Sequence, residues 1–434
     1  MKFMNHRIWW LALGSFAIGT EAFMISGMLP TLASALHVTT ALAGQLVTVF
    51  SLVYAFSSPV ITTLTGKMER RKLMIGALLL IAIGNALCGL SSSYGAMLAG
   101  RVVAALGAGV FGPMAIAVAS ALTAPEKRGR ALSIVIAGNT ISLIAGVPFG
   151  TWIALTIHWR ATFWFVAGLA MLAAVAIRLL FPEVPSPGSA TLRERLSLLK
   201  RSEVLVALLT TLVWGAGIFS FFTYVTELFA GYGAAGRAIS LVLFFYGIAS
   251  FIGVRLGGSV ADRLGSHRAI LIALSALTAS LLLLSVLDLW AGRPGILAAA
   301  VASLALYGLS GYMFNPAQQH RLIGLSGSSS SLVLSLNASA LYLGSALGAF
   351  AGGSGRPLRY SRACGLFLGG DDCAGVGHIC GEPTARASQS AAGGRQAVTE
   401  LAACCGPLCT VQVSLTTTFP IFSPLKSPIK AIGA

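Results

Sequence analysis

Eleven apolar stretches, each about 20 residues long, fill most of the first 352 residues of this 434-residue chain. That length is what an α-helix needs to cross the hydrocarbon core of a bilayer. Short polar turns separate the stretches, and 56% of all residues are hydrophobic while only 10% are charged. The composition excludes a soluble protein and predicts an all-α polytopic membrane protein. The predicted helices cover residues 8–30, 43–65, 73–91, 95–122, 131–155, 162–181, 204–229, 238–258, 269–290, 296–317 and 331–352.

The net charge of +16 would indicate nucleic-acid binding in a soluble protein, but here the basic residues cluster in the short turns. Lys and Arg are enriched in the cytoplasmic loops of membrane proteins. When the turns are assigned alternately to the two sides, one side is far richer in basic residues and is predicted to be cytoplasmic, together with the N-terminus. The richer side holds Lys2, Arg7, Lys67, Arg70, Arg71, Lys72, Lys127, Arg128, Arg130, Arg193, Arg195, Lys200, Arg201, Arg263, Arg268 and Arg321, and the other holds Arg160, Arg237 and Arg293.

Two polar turns of similar composition occur at corresponding places in the two halves of the chain. One, residues 66–72, lies between the second and third stretches, and the other, residues 257–268, lies between the eighth and ninth. Such an echo in an apolar chain is typical of an internally repeated transporter, although each turn by itself is also an ordinary solvated loop. The longest internal connection, residues 182–203, divides the chain into predicted bundles at 1–181 and 204–352.

The turn at 257–268 resembles the loop motif of the major facilitator superfamily. The earlier turn is a degenerate copy, because Glu69 replaces the aspartate and the inner glycine is missing. The resemblance implies two pseudo-repeated six-helix bundles with the substrate between them, and an inner gate built from both turns. The implied gating residues are Gly66, Glu69, Arg70, Gly258, Asp262, Arg263, Gly265 and Arg268.

The fifth stretch carries small residues at regular intervals, followed by a proline. Small residues let helices approach closely, and Pro148 removes a backbone hydrogen bond and bends the helix. The pattern resembles the antiporter motif of exporters in the superfamily, which implies export over uptake. The residues of this pattern are Gly138, Gly146, Pro148 and Gly150.

Glu21 interrupts the first apolar stretch about 20 Å into the membrane, at a rise of 1.5 Å per residue from Arg7. An ionised carboxylate near the bilayer centre costs about 2.5–3.5 kcal/mol on insertion scales. We therefore expect Glu21 to take up and release a proton or to bind a cationic substrate. The alternative is an outer-leaflet carboxylate paired with another helix.

Two further charged residues are candidates for proton coupling. Arg101 resembles the arginine of the superfamily's helix 4 motif, although Leu106 stands directly before Gly107 where the family usually has Gln shortly before the glycine. Its alternative role is to extend toward the nearby outer surface. Glu227 is a second candidate acid, or a solvated carboxylate at an outer helix end.

The sequence changes character at residue 353, where the resemblance implies a continuing eleventh helix and then a twelfth. Residues 353–434 are instead rich in Gly, Cys and Ser, and six of the seven cysteines fall there. Three interpretations remain open: a shifted reading frame, a genuine disordered or divergent tail, and a metal module on Cys373, His378 and Cys380. The spacing of the last set lacks the paired cysteines of a usual zinc site.

These observations together predict proton-coupled efflux of a small organic molecule, a drug such as chloramphenicol or a sugar, across a bacterial inner membrane. We expect a monomer in the lipid bilayer, with protons and the small molecule as partners and no cofactor, metal or nucleic acid. The chain lacks a phosphate-binding loop and catalytic motifs, so it is not expected to be an enzyme. The alternative is a membrane protein that does not transport because its C-terminus is aberrant.

Overall fold

The computed structural model describes residues 6–124, 127–184, 194, 197–234, 236–290, 293–326 and 330–353. Within these residues, eleven helices are long and apolar enough to cross a membrane, which confirms the predicted pattern. A short helix, Val225–Gly231, follows the seventh. The spans are α1 Arg7–Ala35, α2 Thr40–Leu64, α3 Arg70–Leu90, α4 Tyr94–Ala121, α5 Arg128–Thr156, α6 Trp159–Leu180, α7 Ser202–Phe222, α8 Arg237–Leu264, α9 Ser266–Asp288, α10 Ile296–Ser326 and α11 Ser330–Gly353.

Two of the sequence predictions fall largely outside the described residues. Gly353 ends α11, and the interpretations of the tail, including the metal module on Cys373, His378 and Cys380, concern residues beyond it. In the linker at 182–203, residues 185–193 and 195–196 also lie outside the described part, and Leu198–Lys200 forms one turn of 3-10 helix.

The predicted boundary between the eighth and ninth helices was wrong. We expected a polar turn from about residue 257, but α8 continues to Leu264 and includes Gly258, Asp262 and Arg263. The reversal is confined to Gly265, whose φ of 84° is a backbone conformation that favours glycine. Because α8 continues, Asp262 lies in its last turns and does not begin α9. The segment remains helical because Ala, Leu and Arg are good helix formers and a glycine in a helix costs only about 1 kcal/mol.

The small residues of α5 lie against α1, as their spacing predicts. A Cβ atom added to Gly138 would lie 2.2 Å from the Ala12 carbonyl oxygen, and one added to Gly146 would lie 2.0 Å from Thr20 Oγ1. Just before Pro148, residues Ser142–Gly146 form a π-helical turn. A proline cannot donate to the carbonyl four residues earlier, so this widened turn accommodates the missing hydrogen bond.

The spans α1–α6 and α7–α11, which we call the first half and the second half, meet at several places that include two helix pairs. In the first pair, α2 and α11, Ser51 Oγ and Ser345 Oγ are 3.1 Å apart, and the rings of Tyr54 and Tyr342 stack with centroids 3.6 Å apart. In the second pair, Gly247 of α8 lies so close to the π turn of α5 that an added Cβ atom would be 2.3 Å from the Leu143 carbonyl oxygen. At these two pairs the halves touch through small and flat side chains, and at Gly247 backbone lies close to backbone.

We predict that Gly247→Ala destabilises the protein, because the new methyl group meets a backbone carbonyl that cannot rotate away. Overpacking of this kind costs about 1–3 kcal/mol. The control is Gly258→Ala on the same helix, where an added Cβ atom meets nothing within 4 Å. Thermal unfolding of the purified proteins in detergent should show a lower midpoint for Gly247→Ala alone. Equal midpoints for the two variants would contradict the close contact between α5 and α8.

Candidate functional site

The Glu21 carboxyl group is completely buried in the first half and forms an ion pair with Arg101 of α4. Nη1 of Arg101 donates to Glu21 Oε1 and also to the Glu21 backbone oxygen, the latter at 3.1 Å. Both side chains have a relative exposure of 0%. Glu21 is therefore paired with another helix, which is one part of the alternative expectation for this residue.

Arg101 does not extend to the membrane surface, so that expectation was wrong. Its guanidinium points into the first half, where Nε donates to the Leu46 carbonyl oxygen at 3.4 Å. The guanidinium carbon also lies 4.1 Å from the centroid of the Phe50 ring. A cation over an aromatic face is stabilised by about 2 kcal/mol where water is excluded. Arg101 therefore joins α1, α2 and α4 because its partners inside the protein replace the water that it has lost.

Asn85 and Cys88 of α3 complete the surroundings of the pair. Asn85 is fully buried beside the Glu21 carboxyl group, and its Nδ2 donates to the Ile81 carbonyl oxygen at 2.9 Å. Cys88 is a buried free thiol close enough to interact electrostatically with both charges. The sequence gave no reason to place Asn85 or Cys88 beside Glu21.

Three polar atoms of this cluster are buried without a hydrogen-bond partner in the described residues. They are Glu21 Oε2, Arg101 Nη2 and Asn85 Oδ1. Leaving a buried polar atom unsatisfied costs about 1–3 kcal/mol. The free Oε2 oxygen is an available acceptor for a proton, and the arginine retains donor capacity.

Glu227 lies apart from this cluster. It is an exposed residue in the first turn of the short helix Val225–Gly231, and its Oε1 accepts a hydrogen bond of 3.2 Å from Thr40 Oγ1 at the start of α2. The structure therefore places it at the contact between the two halves and does not bring it near Glu21.

The two repeated turns make different contacts. In the first copy, which follows Gly66, the Arg70 N–H donates to the Val184 carbonyl oxygen at 3.0 Å, and the Val184 N–H donates to Glu69 Oε1 at 3.2 Å. The turn between α2 and α3 is thereby fixed to the chain that leaves α6. In the second copy, Ser266 Oγ is 2.6 Å from His320 Nδ1 of α10.

Four candidate gating residues of the second copy are solvent-exposed or partly so and lie on both sides of the reversal at Gly265. Gly258, Asp262 and Arg263 precede it on α8, and Arg268 follows it on α9. The four residues of the α5 pattern, in contrast, lie inside the span α5: Gly138, Gly146 and Gly150 face α1 or α6, and Pro148 is buried. Gly150 is the least crowded of them, since an added Cβ atom would lie 3.2 Å from Thr162 Cγ2.

We predict that Arg101→Met destabilises the protein more than the double variant Glu21→Leu with Arg101→Met. Removing one partner of a buried pair leaves an uncompensated charge, at a cost of about 3 kcal/mol or more, whereas replacing both with apolar residues is often neutral. The thermal unfolding midpoints of the purified variants at slightly alkaline pH measure the difference. A double variant no more stable than Arg101→Met would show that the two side chains do not compensate each other.

Comparison with known proteins agrees with this architecture. Residues 11–349 match the Major Facilitator Superfamily. The uncharacterized MFS-type transporter YbcL of Bacillus subtilis (strain 168) is 36% identical over 348 residues, which are 80% of this chain and 88% of YbcL. The chloramphenicol resistance protein of Streptomyces lividans is 35% identical over 260 residues, 58% of this chain and 66% of that protein.

Solved structures show the same fold at lower sequence identity. The xylose transporter XylE from E. coli, in a partially occluded inward-open conformation, has a TM-score of 0.65 and 15% identity, with 88% of this chain and 98% of XylE covered. At this identity the similarity concerns the fold alone. The match over residues 11–349 and the relatives that share it show that the chain belongs to the Major Facilitator Superfamily, whose members transport small molecules across membranes.

Proposed function

We propose that this transporter exports a small organic molecule in exchange for protons across a bacterial inner membrane, with its N-terminus in the cytoplasm. The observation that carries the proposal is the Glu21–Arg101 pair, which is fully buried in α1 and α4 and retains a free carboxylate oxygen. Since a lone carboxylate is costly inside a membrane, the Glu21 carboxyl group has two stable forms: ionised against Arg101, or neutral after protonation, when Arg101 keeps its charge.

Because Glu21 and Arg101 are buried, we propose that proton exchange requires movement of the two halves. With 0% exposure, neither Glu21 nor Arg101 reaches water in the described conformation. A proton therefore reaches Oε2 only after the helices around the pair have moved and admitted water. In an exporter, proton uptake occurs on one side of the membrane and release on the other, and movement of the two halves determines which side has access.

Two further features support export of a drug or a sugar. The glycine face of α5 against α1 has the pattern that exporters of the superfamily use, which is the reason to favour export over uptake. One relative is named as a chloramphenicol resistance protein, and we propose that this chain acts on a molecule of similar size.

The basic turns support the cytoplasmic N-terminus, and the division of the chain at 182–203 supports alternating movement of two bundles in a monomer.

We predict that Glu21→Gln abolishes proton-coupled export, because an amide cannot be protonated at physiological pH. The measurement uses inverted membrane vesicles with an imposed proton gradient, a panel of labelled drugs and sugars that begins with chloramphenicol, and a pH-sensitive dye. The wild-type chain should accumulate one compound, lose that activity when a protonophore is added, and release protons when the compound is supplied. Glu21→Gln should show no compound-induced proton movement.

The matched control is Glu183→Gln, which removes an exposed carboxylate in the chain segment that follows α6. This variant should transport as the wild type does. Export by Glu21→Gln with an unchanged dependence on the proton gradient would show that Glu21 is not the coupling site. Accumulation that persists after addition of the protonophore would contradict proton coupling altogether.

A further inference from the structure

Phe50 of α2 has no part in the proton exchange described above, yet its ring is fully buried against the guanidinium of Arg101. The distance from the guanidinium carbon to the ring centroid is 4.1 Å, within the range of a cation–π interaction, which is strongest where water is excluded. One turn earlier, the Leu46 carbonyl oxygen accepts the hydrogen bond from Arg101 Nε. Arg101 is therefore held to α2 at two successive turns.

The same face of α2 continues to the contact with the second half. Leu46, Phe50 and Tyr54 follow one another at intervals of four residues, which places them along one side of the helix. The rings of Phe50 and Tyr54 have centroids 6.5 Å apart, and Tyr54 is stacked on Tyr342 of α11 at 3.6 Å. A single row of contacts therefore joins the buried charge of the first half to the α2–α11 interface.

Few groups around the Glu21–Arg101 pair carry a charge that protonation of Glu21 could affect. Among the described residues, the charged and titratable neighbours of Glu21 are Arg101 of α4 and the Cys88 thiol of α3. The nearby groups of the other helices are uncharged: Asn85 on α3, the Leu46 carbonyl and the Phe50 ring on α2. When Glu21 binds a proton, Arg101 loses its only counter-ion in this set. It keeps one contact to α1, the Glu21 backbone oxygen at 3.1 Å, and two contacts to α2, the Leu46 carbonyl oxygen and the Phe50 ring.

We propose that Phe50 is a positioning residue that makes closure of the α2–α11 interface depend on whether Glu21 carries a proton. With Glu21 ionised, the guanidinium is attracted to α1 and α2 together. Proton uptake from water removes the attraction to the carboxylate, and the guanidinium then moves with the Phe50 ring and the Leu46 carbonyl. The displaced turn of α2 changes the stacking of Tyr54 on Tyr342, so the two halves respond to the charge of Glu21.

This inference rests on the proposed protonation of Glu21, and its test needs no knowledge of the transported compound. Spin labels on noncanonical amino acids at Leu42 and Phe350, both exposed near the same end of the α2–α11 pair, report the separation of the two helices. The full-length chain is reconstituted in lipid nanodiscs, and the distance distribution is measured by pulsed electron paramagnetic resonance across a pH series. We expect a pH-dependent shift in the wild type that Glu21→Gln abolishes.

In Phe50→Leu, which keeps an apolar side chain but removes the ring, we expect the pH-dependent shift to fall to about a third or less, as for a coupling residue. Phe50→Trp restores an aromatic face and should restore the shift. The matched control is Phe56→Leu on the same helix, where the ring is 60% exposed and the shift should be unchanged. If Phe50→Leu does not fold, Tyr342→Leu interrupts the same row of contacts at its other end and should show the same loss.

The possible failures can be distinguished. A full shift in Phe50→Leu, or in Tyr342→Leu where that variant is used, together with its loss in Glu21→Gln, overturns the role of Phe50 and leaves the proton site intact. A shift that persists in Glu21→Gln, or no shift in the wild type, overturns both the inference and the proposed proton site. An equal loss in Phe50→Leu and Phe56→Leu would show a general effect of altering α2, which also contradicts a specific role for Phe50.

Discussion

The rest of the structure depends on one interaction, the ion pair of Glu21 and Arg101 inside the first half. An unpaired charge is costly in a place without water, so each side chain stabilises the other while both are ionised. Arg101 also binds the Leu46 carbonyl and lies over the Phe50 ring, which ties three helices to one side chain. An ion pair of this kind is weak evidence for stability. Its carboxylate keeps one oxygen without a hydrogen-bond partner among the described residues, and the proposed proton exchange makes use of that oxygen.

The second constraint is the close approach of helices around this pair. Lipid offers no hydrophobic drive for helices to associate, so α1 and α5 meet through small residues that let their backbones touch. At Gly138 and Gly247 the neighbouring atom is a backbone carbonyl, and at Gly146 it is a threonine hydroxyl. The contacts of Gly138 and Gly146 hold α1 and α5 together within the first half, whereas Gly247 brings α8 of the second half against α5 with no large side chain between the two backbones.

Much of this arrangement was predictable from the sequence. The length of the apolar stretches and the charged turns between them predicted the number of described spans. The energetic cost of a buried carboxylate indicated Glu21 as a candidate functional residue. The partner of Glu21 was not predictable, because α1 and α4 are about 80 residues apart in sequence and only packing brings Arg101 inward. The sequence did not indicate a role for Phe50, since the chain has 22 phenylalanines and nothing distinguishes this one. The helical end of α8 was not predicted, because Asp262 and its glycine neighbours are equally typical of a turn.

The central claim, that Glu21 exchanges a proton while paired with Arg101, is tested most directly by infrared difference spectroscopy of the purified protein during a pH titration. A carboxyl group that gains a proton shows a carbonyl band that its ionised form lacks, and the chain has only 13 acidic residues to distinguish. We predict one titrating band in the wild type that is missing from Glu21→Gln and shifts along the pH axis in Arg101→Met. A spectrum of Glu21→Gln identical to that of the wild type throughout the titration would contradict the account.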